Sequence, residues 1–133
     1  MLNSACGRPG GQVQSTLFGE QNAGQFSWGK SAASNGMLWV QEPVFGTILS
    51  DVAKLETGRL FGYALGAAFP RNGAVPEPAS ASARMCILGD APKGRFGATV
   101  TALPGSSVIA VAAPQSYLQA RLSGAVYLVP QAA

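Results

Sequence analysis

The chain has 133 residues, of which 47% are hydrophobic and only 11% are charged, and its formal net charge is +3. So few charges, together with 17 glycines and 9 prolines, argue against amphipathic helices and favour short strands joined by turns. The basic residues are scattered, which argues against a nucleic-acid partner, and the lack of any histidine excludes a Ser-His-Asp or Cys-His catalytic arrangement.

In chain order, the predicted elements form two similar groups of four strands. Residues 1–11 are expected to be a flexible N-terminus, and they lack the basic and apolar regions of a secretory signal. The first unit, 12–65, is predicted to contain strands at 12–19, 26–33, 37–43 and 58–65. Residues 66–83, rich in Ala, Pro and Ser, are predicted to form a long, mobile surface insertion, with a Pro-stiffened linker as the alternative. The second unit, 84–133, is predicted to contain strands at 84–89, 96–103, 107–114 and 124–130.

An internal repeat relates the two units. The segment TLFGEQNAGQF (16–26) aligns without a gap on CILGDAPKGRF (86–96), at a constant offset of 70. Its three identities pair Gly19 with Gly89, Gly24 with Gly94 and Phe26 with Phe96. The loop of the first unit is longer, so GRLFGYAL (58–65) matches GAVYLVPQ (124–131) at an offset of 66. Each unit is therefore expected to form one four-stranded antiparallel sheet.

The second unit resembles the FG-GAP repeat of integrin alpha-chain propellers, which also occurs in glycosylphosphatidylinositol-specific phospholipase D. The family pattern is Phe-Gly opening one strand, Gly-Ala-Pro closing an apolar strand, and a glycine followed by an aromatic residue opening another. The matching residues of the second unit are Phe96, Gly97, Pro114, Gly124 and Tyr127, and the looser matches of the first are Phe26, Pro43, Gly58 and Phe61.

This resemblance covers roughly residues 12–130 and implies an all-β fold, with two four-stranded antiparallel blades of a partial β-propeller. The two prolines are expected to end their strands because proline cannot donate to a ladder. Phe26 and Phe96 are expected to pack between blades. An unrelated β-sandwich of eight strands is the alternative fold.

Many FG-GAP blades carry an Asp-rich calcium loop, and the corresponding segments here contain no carboxylate. They are ASNG (33–36) and LPGSS (103–107). Calcium requires six to eight oxygen ligands, several of them carboxylates. We therefore expect no metal and no cofactor.

The six carboxylates are expected to have structural roles. Glu20 and Asp90 occupy equivalent repeat positions, which favours turn capping or solvation on different blades. Asp51 and Glu56 share one long loop, where weak cation binding is the alternative to solvation. Glu42 and Glu77 suggest no catalytic pair.

Three further side chains are expected to be structural. Trp28 and Trp39 are predicted to lie in the core. Cys86, in an apolar run, is predicted to be a buried free thiol, and nothing supports a disulfide with Cys6.

Together these features predict a non-catalytic module for protein–protein interaction that forms a fragment or subunit of a larger propeller. The alternative is the propeller segment of a phospholipase D-like enzyme that lacks its zinc catalytic domain. The expected partners are other blades, from further copies or from missing parts of a parent chain, without nucleic acid or membrane insertion. Because a ring needs about four to eight blades, head-to-tail trimers or tetramers are expected, with an aggregating fragment as the alternative. The compartment is left open, since the relatives are extracellular or membrane-attached.

Overall fold

The computed structural model describes residues 15–20, 24–46, 56–66, 75–90, 92–116 and 124–131. Within these ranges the chain is all-β, as predicted, without a helix. The strands are β1 (Leu17–Phe18), β2 (Ala32–Ser34), β3 (Met37–Glu42), β4 (Arg59–Ala64), β5 (Glu77–Pro78), β6 (Met85–Leu88), β7 (Thr99–Ala102), β8 (Val108–Ala113) and β9 (Ala125–Pro130).

Two antiparallel sheets form the body of the fold. Sheet 1 has the strand order β2-β3-β4-β6, and sheet 2 has the order β7-β8-β9. A third, small sheet pairs β1 with β5 in parallel. Among the described residues, none of these sheets closes on itself.

The expectation that each unit forms its own four-stranded sheet is wrong for both units. In the first unit, β1 lies outside sheet 1 and pairs with β5. The strand predicted to open the second unit, β6, pairs with β4 and completes sheet 1, with Leu60 opposite Ile87 and Gly62 opposite Met85. In this register Met85 and Ile87 pack against the main core. Burial of their side chains accounts for the pairing, because alternation in a strand directs both to the same face.

Two predicted strands begin later than expected. The segment before β2 forms a turn, and so does the segment before β7. Gln25 and Ser27 have φ angles of 62° and 64°, and Arg95 and Gly97 have φ angles of 55° and 94°. Positive φ is incompatible with an extended strand. Strand pairing therefore starts only at Ala32 and Thr99.

The main core lies between the two sheets. The front face of sheet 1 contributes Met37, Trp39 and Leu60, and sheet 2 contributes Val100, Ile109, Val111 and Ala113. The indole Nε1–H of Trp39 donates to Oε1 of Gln131 at 3.0 Å. This bond links the centre of sheet 1 to the end of sheet 2.

A second core covers the back face of sheet 1, formed by Val40, Phe61 and Tyr63. It is closed by residues 75–83, which we call the strap. Ala79 of the strap is fully buried, and its carbonyl oxygen accepts a 2.7 Å hydrogen bond from the Tyr63 hydroxyl. The segment belongs to the predicted surface insertion, yet Ala79 is buried because its small side chain fits against the sheet. Residues 67–74 of the predicted insertion lie outside the described residues.

The internal repeat recurs in the backbone hydrogen bonds. Ser27 N donates to Gln41 O at 2.7 Å, and Gly97 N donates to Ala112 O at 3.0 Å. Two further bonds match in the same way: Val44 N to Gly24 O with Gln115 N to Gly94 O, and Gly58 N to Phe45 O with Gly124 N to Ser116 O. Residues of β3 correspond to residues of β8 at an offset of 71, and residues of β4 correspond to those of β9 at an offset of 66.

Close backbone approach explains the paired glycines of the alignment. A Cβ on Gly19 would lie 2.6 Å from Cβ of Phe26, and a Cβ on Gly89 would lie 2.7 Å from Cβ of Phe96. Real Cβ atoms do not approach so closely, so both positions require glycine. The two contacts place equivalent phenylalanines against equivalent turns.

Candidate interaction surface

The outer face of sheet 2, which we call the open face, is uncharged and exposed. Three cross-strand rows form it: Thr99-Ala112-Val126, Thr101-Ala110-Leu128 and Val108-Pro130. Val126 and Leu128 are 68% and 65% exposed. Large apolar side chains that share one exposed face are typical of an interaction surface.

The repeat relates this open face to a face that is fully covered in sheet 1. Trp39 and Leu60 are completely buried between the sheets. Their counterparts by strand register are Ala110 on β8 and Val126 on β9. The positions with which sheet 1 contacts sheet 2 are therefore equivalent to positions on the outer face of sheet 2.

The outer edge of β9 is a second feature of this surface. In sheet 1 the corresponding edge, on β4, carries β6. In the described part of the chain no strand pairs with the outer edge of β9. Unpaired N–H and C=O groups on such an edge are available for another strand.

The aromatic residues singled out in the two repeats occupy equivalent contacts. Phe26 meets Phe61 edge to face, with ring centroids 6.0 Å apart, and Phe96 meets Tyr127 in the same way at 5.2 Å. The first pair lies beneath the strap and the second between the sheets.

The prolines and glycines of the repeat motif lie at strand ends. Pro43 and Pro114 follow the last residues of β3 and β8. Gly58 and Gly124 precede β4 and β9 with φ angles of 82° and 83°. Gly97 lies in the turn before β7.

Most of the described carboxylates are bound to other groups. Both oxygens of Glu20 accept hydrogen bonds from Ser80, one from its backbone N–H and one from its hydroxyl, each at 2.8 Å. These bonds hold the pKa of Glu20 below its ordinary value. Asp90, its counterpart, accepts a 3.0 Å bond from the Tyr127 hydroxyl. Burial first, and then this bond, raise the pKa of Tyr127.

Glu56 forms an ion pair with Arg95, so its carboxylate is already paired and is a poor ligand for the weak cation site suggested in its loop. Its Oε1 lies 2.6 Å from Nη2 of Arg95. Asp51, the other residue of that suggestion, lies outside the described residues.

Sequence reasoning missed a buried ion pair in the first unit. Glu42 is completely buried, and its Oε1 lies 2.6 Å from Nε of Arg59, the residue opposite it on β4. The Arg59 guanidinium also lies 3.7 Å from the ring centroid of Phe45. The counterparts in the second unit are Ala113 and Ala125. The sequence could have indicated this ion pair, because the acidic Glu42 and the basic Arg59 lie in two successive predicted strands.

Two expectations of burial are wrong. Trp28 is 61% exposed, because it lies in the turn before β2, whereas Trp39 is buried as predicted. Cys86 is an exposed free thiol. It belongs to β6, where its neighbours Met85 and Ile87 take the core-facing positions. Cys6 lies outside the described residues.

The two turns at 33–36 and 103–107 line a neutral cleft. The cleft, of about 320 Å³, is lined by Ser34 and Asn35 from one turn and by residues 102–106 from the other. None of these side chains is charged. Over the described ranges, no group of three potential metal-ligating side chains is found.

A comparison with protein-family models, curated proteins and solved structures found no match. In the described part of the chain, no helix has the length and apolar character needed to cross a membrane. The exposed apolar side chains of the open face and the unpaired edge of β9 make this part of the described chain its candidate functional surface.

Proposed function

We propose that the chain is a non-catalytic module for protein–protein interaction, a pair of FG-GAP-like blades that belongs to a larger β-propeller. The observation that carries the proposal is the exposure of Val126, whose counterpart Leu60 is completely buried by the neighbouring sheet. Further sheets, from other copies or from other parts of a parent protein, bury this face in the assembled form.

The carboxylates are consistent with a non-catalytic role. Glu42 and Glu56 are each held by an arginine, and Glu20 is held by Ser80. A general acid or base must be free to reach a substrate. In this proposal these groups stabilise turns and strands instead.

The test is self-association, measured by sedimentation equilibrium of the reduced protein over a wide concentration range. Val126→Glu places a charge in the proposed contact, whereas Trp28→Glu places the same charge at a residue of similar exposure, 61%, outside both the open face and the strap. We expect association of the wild-type chain and of Trp28→Glu, and loss of association in Val126→Glu. Association unchanged by Val126→Glu contradicts the proposal, as does a single-chain mass at every concentration for all variants.

A further inference from the structure

The strap covers a face that, by the internal repeat, belongs to a neighbouring sheet. In the main core, Val111, Tyr127 and Val129 of sheet 2 pack on the front face of sheet 1. Their counterparts in sheet 1 are Val40, Phe61 and Tyr63, which form its back face. The back face is therefore equivalent to the surface with which sheet 2 contacts its neighbour, and the strap lies where that neighbour would lie.

The strap also holds β1, the counterpart of β6. Leu17 pairs with Glu77 and Phe18 with Pro78, both in β5 of the strap. By the offset of 70, Leu17 corresponds to Ile87, which pairs with β4 in sheet 1. The strap thus engages the two parts of the first unit, its back face and β1, that correspond to the contacts between successive sheets.

A buried hydrogen bond from the Tyr63 hydroxyl to the Ala79 carbonyl oxygen holds the strap, beside a small apolar side chain and exposed polar groups. Ala79 is its fully buried apolar side chain, and a methyl group buries little apolar surface. The two hydrogen bonds between Glu20 and Ser80 are exposed. At the equivalent contact in the main core, sheet 1 supplies Trp39 and Leu60.

We propose that the strap competes with the open face of a second copy of this chain for the back face of sheet 1, so that head-to-tail association requires the strap to leave. The inference rests on the proposed function and adds its regulation. The occupant is a second copy because its open face carries the counterparts of the residues that cover the equivalent surface inside the chain. Displacement buries Val126 and Leu128 of one copy against Phe61 and Tyr63 of the other.

The same head-to-tail relation gives the edge of β9 a partner. Released from β5, β1 of one copy lies beside β9 of the other, in the way that β6 lies beside β4. The register of β4 with β6 places Leu17 opposite Val126, because Ile87 lies opposite Leu60. Replacement of the strap by a second copy therefore covers the open face and also pairs the outer edge of β9.

The experiment weakens the strap without changing either sheet. Glu20→Ala removes both acceptors of Ser80 at an exposed position, and Asp90→Ala removes the equivalent carboxylate of the second unit as the matched control. In sedimentation equilibrium, we expect Glu20→Ala to lower the concentration of half-association at least about tenfold, as expected when a competing closed state is depopulated. Asp90→Ala should leave it unchanged, and adding Val126→Glu to Glu20→Ala should abolish association.

Hydrogen exchange follows the strap directly in the wild-type chain. The Ala79 amide donates to Phe18 O at 2.8 Å, and we expect it to lose protection as association proceeds, while the Val111 amide of β8 keeps its protection. Persistent protection of Ala79 in the associated form overturns the inference. The inference is also overturned if Glu20→Ala and Ala79→Glu both leave the concentration of half-association unchanged while Val126→Glu still abolishes association. That result leaves the proposed function intact. If Val126→Glu does not change association, both the inference and the proposed function are overturned.

Discussion

Phe96 meets Tyr127 edge to face, with ring centroids 5.2 Å apart, in the core between the two sheets. The equivalent rings of the first unit, Phe26 and Phe61, repeat the contact at 6.0 Å beneath the strap. Each pair joins a glycine-flanked turn to a strand, β4 in the first unit and β9 in the second. The repeat is thus a repeat of tertiary contacts as well as of residues.

Replacing Phe96 by alanine is expected to lower the free energy of unfolding by about 3–5 kcal/mol, because Phe96 is buried and its removal leaves a cavity between the sheets. Urea denaturation measures the change. Tyr127→Phe keeps the ring pair and removes only the hydroxyl, with its bonds to Asp90 and Ser116, so it should cost far less. Trp28→Ala, at an exposed ring, should change stability little. Equal losses for Phe96→Ala and Trp28→Ala would contradict the assignment of the core.

Removing one partner of the buried ion pair is expected to lower the free energy of unfolding more than replacing both partners does. Arg59→Met leaves the buried Glu42 carboxylate without its cation, and we expect a loss of about 3–5 kcal/mol. The double variant Glu42→Gln/Arg59→Met removes both charges and should cost clearly less than the sum of the single changes. The second unit already has alanines at both positions. Urea denaturation of the full double-mutant cycle tests this, and additivity within about 0.5 kcal/mol would contradict it.

Gly58 is expected to tolerate no side chain. It has a φ of +82°, and a Cβ would collide with the backbone of Phe96. Gly58→Ala therefore adds a steric clash to the left-handed strain of about 1–2 kcal/mol. Gly105 has a φ of +72° with open space around it, so Gly105→Ala is the matched control that carries the strain alone. Thermal unfolding should give a clearly larger loss for Gly58→Ala, and similar losses would argue against the close approach.

The attachment of the strap should weaken in acid. Hydrogen bonds from Ser80 lower the pKa of Glu20 below its ordinary value of 4.5, so the folded state favours the ionised carboxylate. This stabilisation is present above the ordinary pKa and is lost as the pH falls through the lowered pKa of the folded state. The amide chemical shift of Ser80, followed by NMR, should titrate with a midpoint below 4.5. In Glu20→Gln the same amide should not titrate there, and a wild-type midpoint above 4.5 would contradict the bond.

The sequence by itself determined the features that depend on neighbouring residues. Apolar runs located β3 and β8, and a glycine followed by an aromatic residue located β4 and β9. Pro43 and Pro114 gave the ends of β3 and β8 because proline cannot continue a ladder. The repeat of Gly19 and Phe26 in Gly89 and Phe96 reflects a contact between near neighbours in the chain. Such a contact leaves its trace in the local pattern.

Tertiary structure decided which edges are paired and which faces are covered. β6 belongs to sheet 1 because Met85 and Ile87 gain burial against a core that no local pattern specifies. The strap has a composition typical of a surface loop, yet Ala79 is buried because the back face of sheet 1 offers space for a methyl group beside Tyr63. The exposure of Val126 and the burial of its counterpart Leu60 follow from the number of stacked sheets. Two positions with the same local pattern differ only in whether another sheet lies against them.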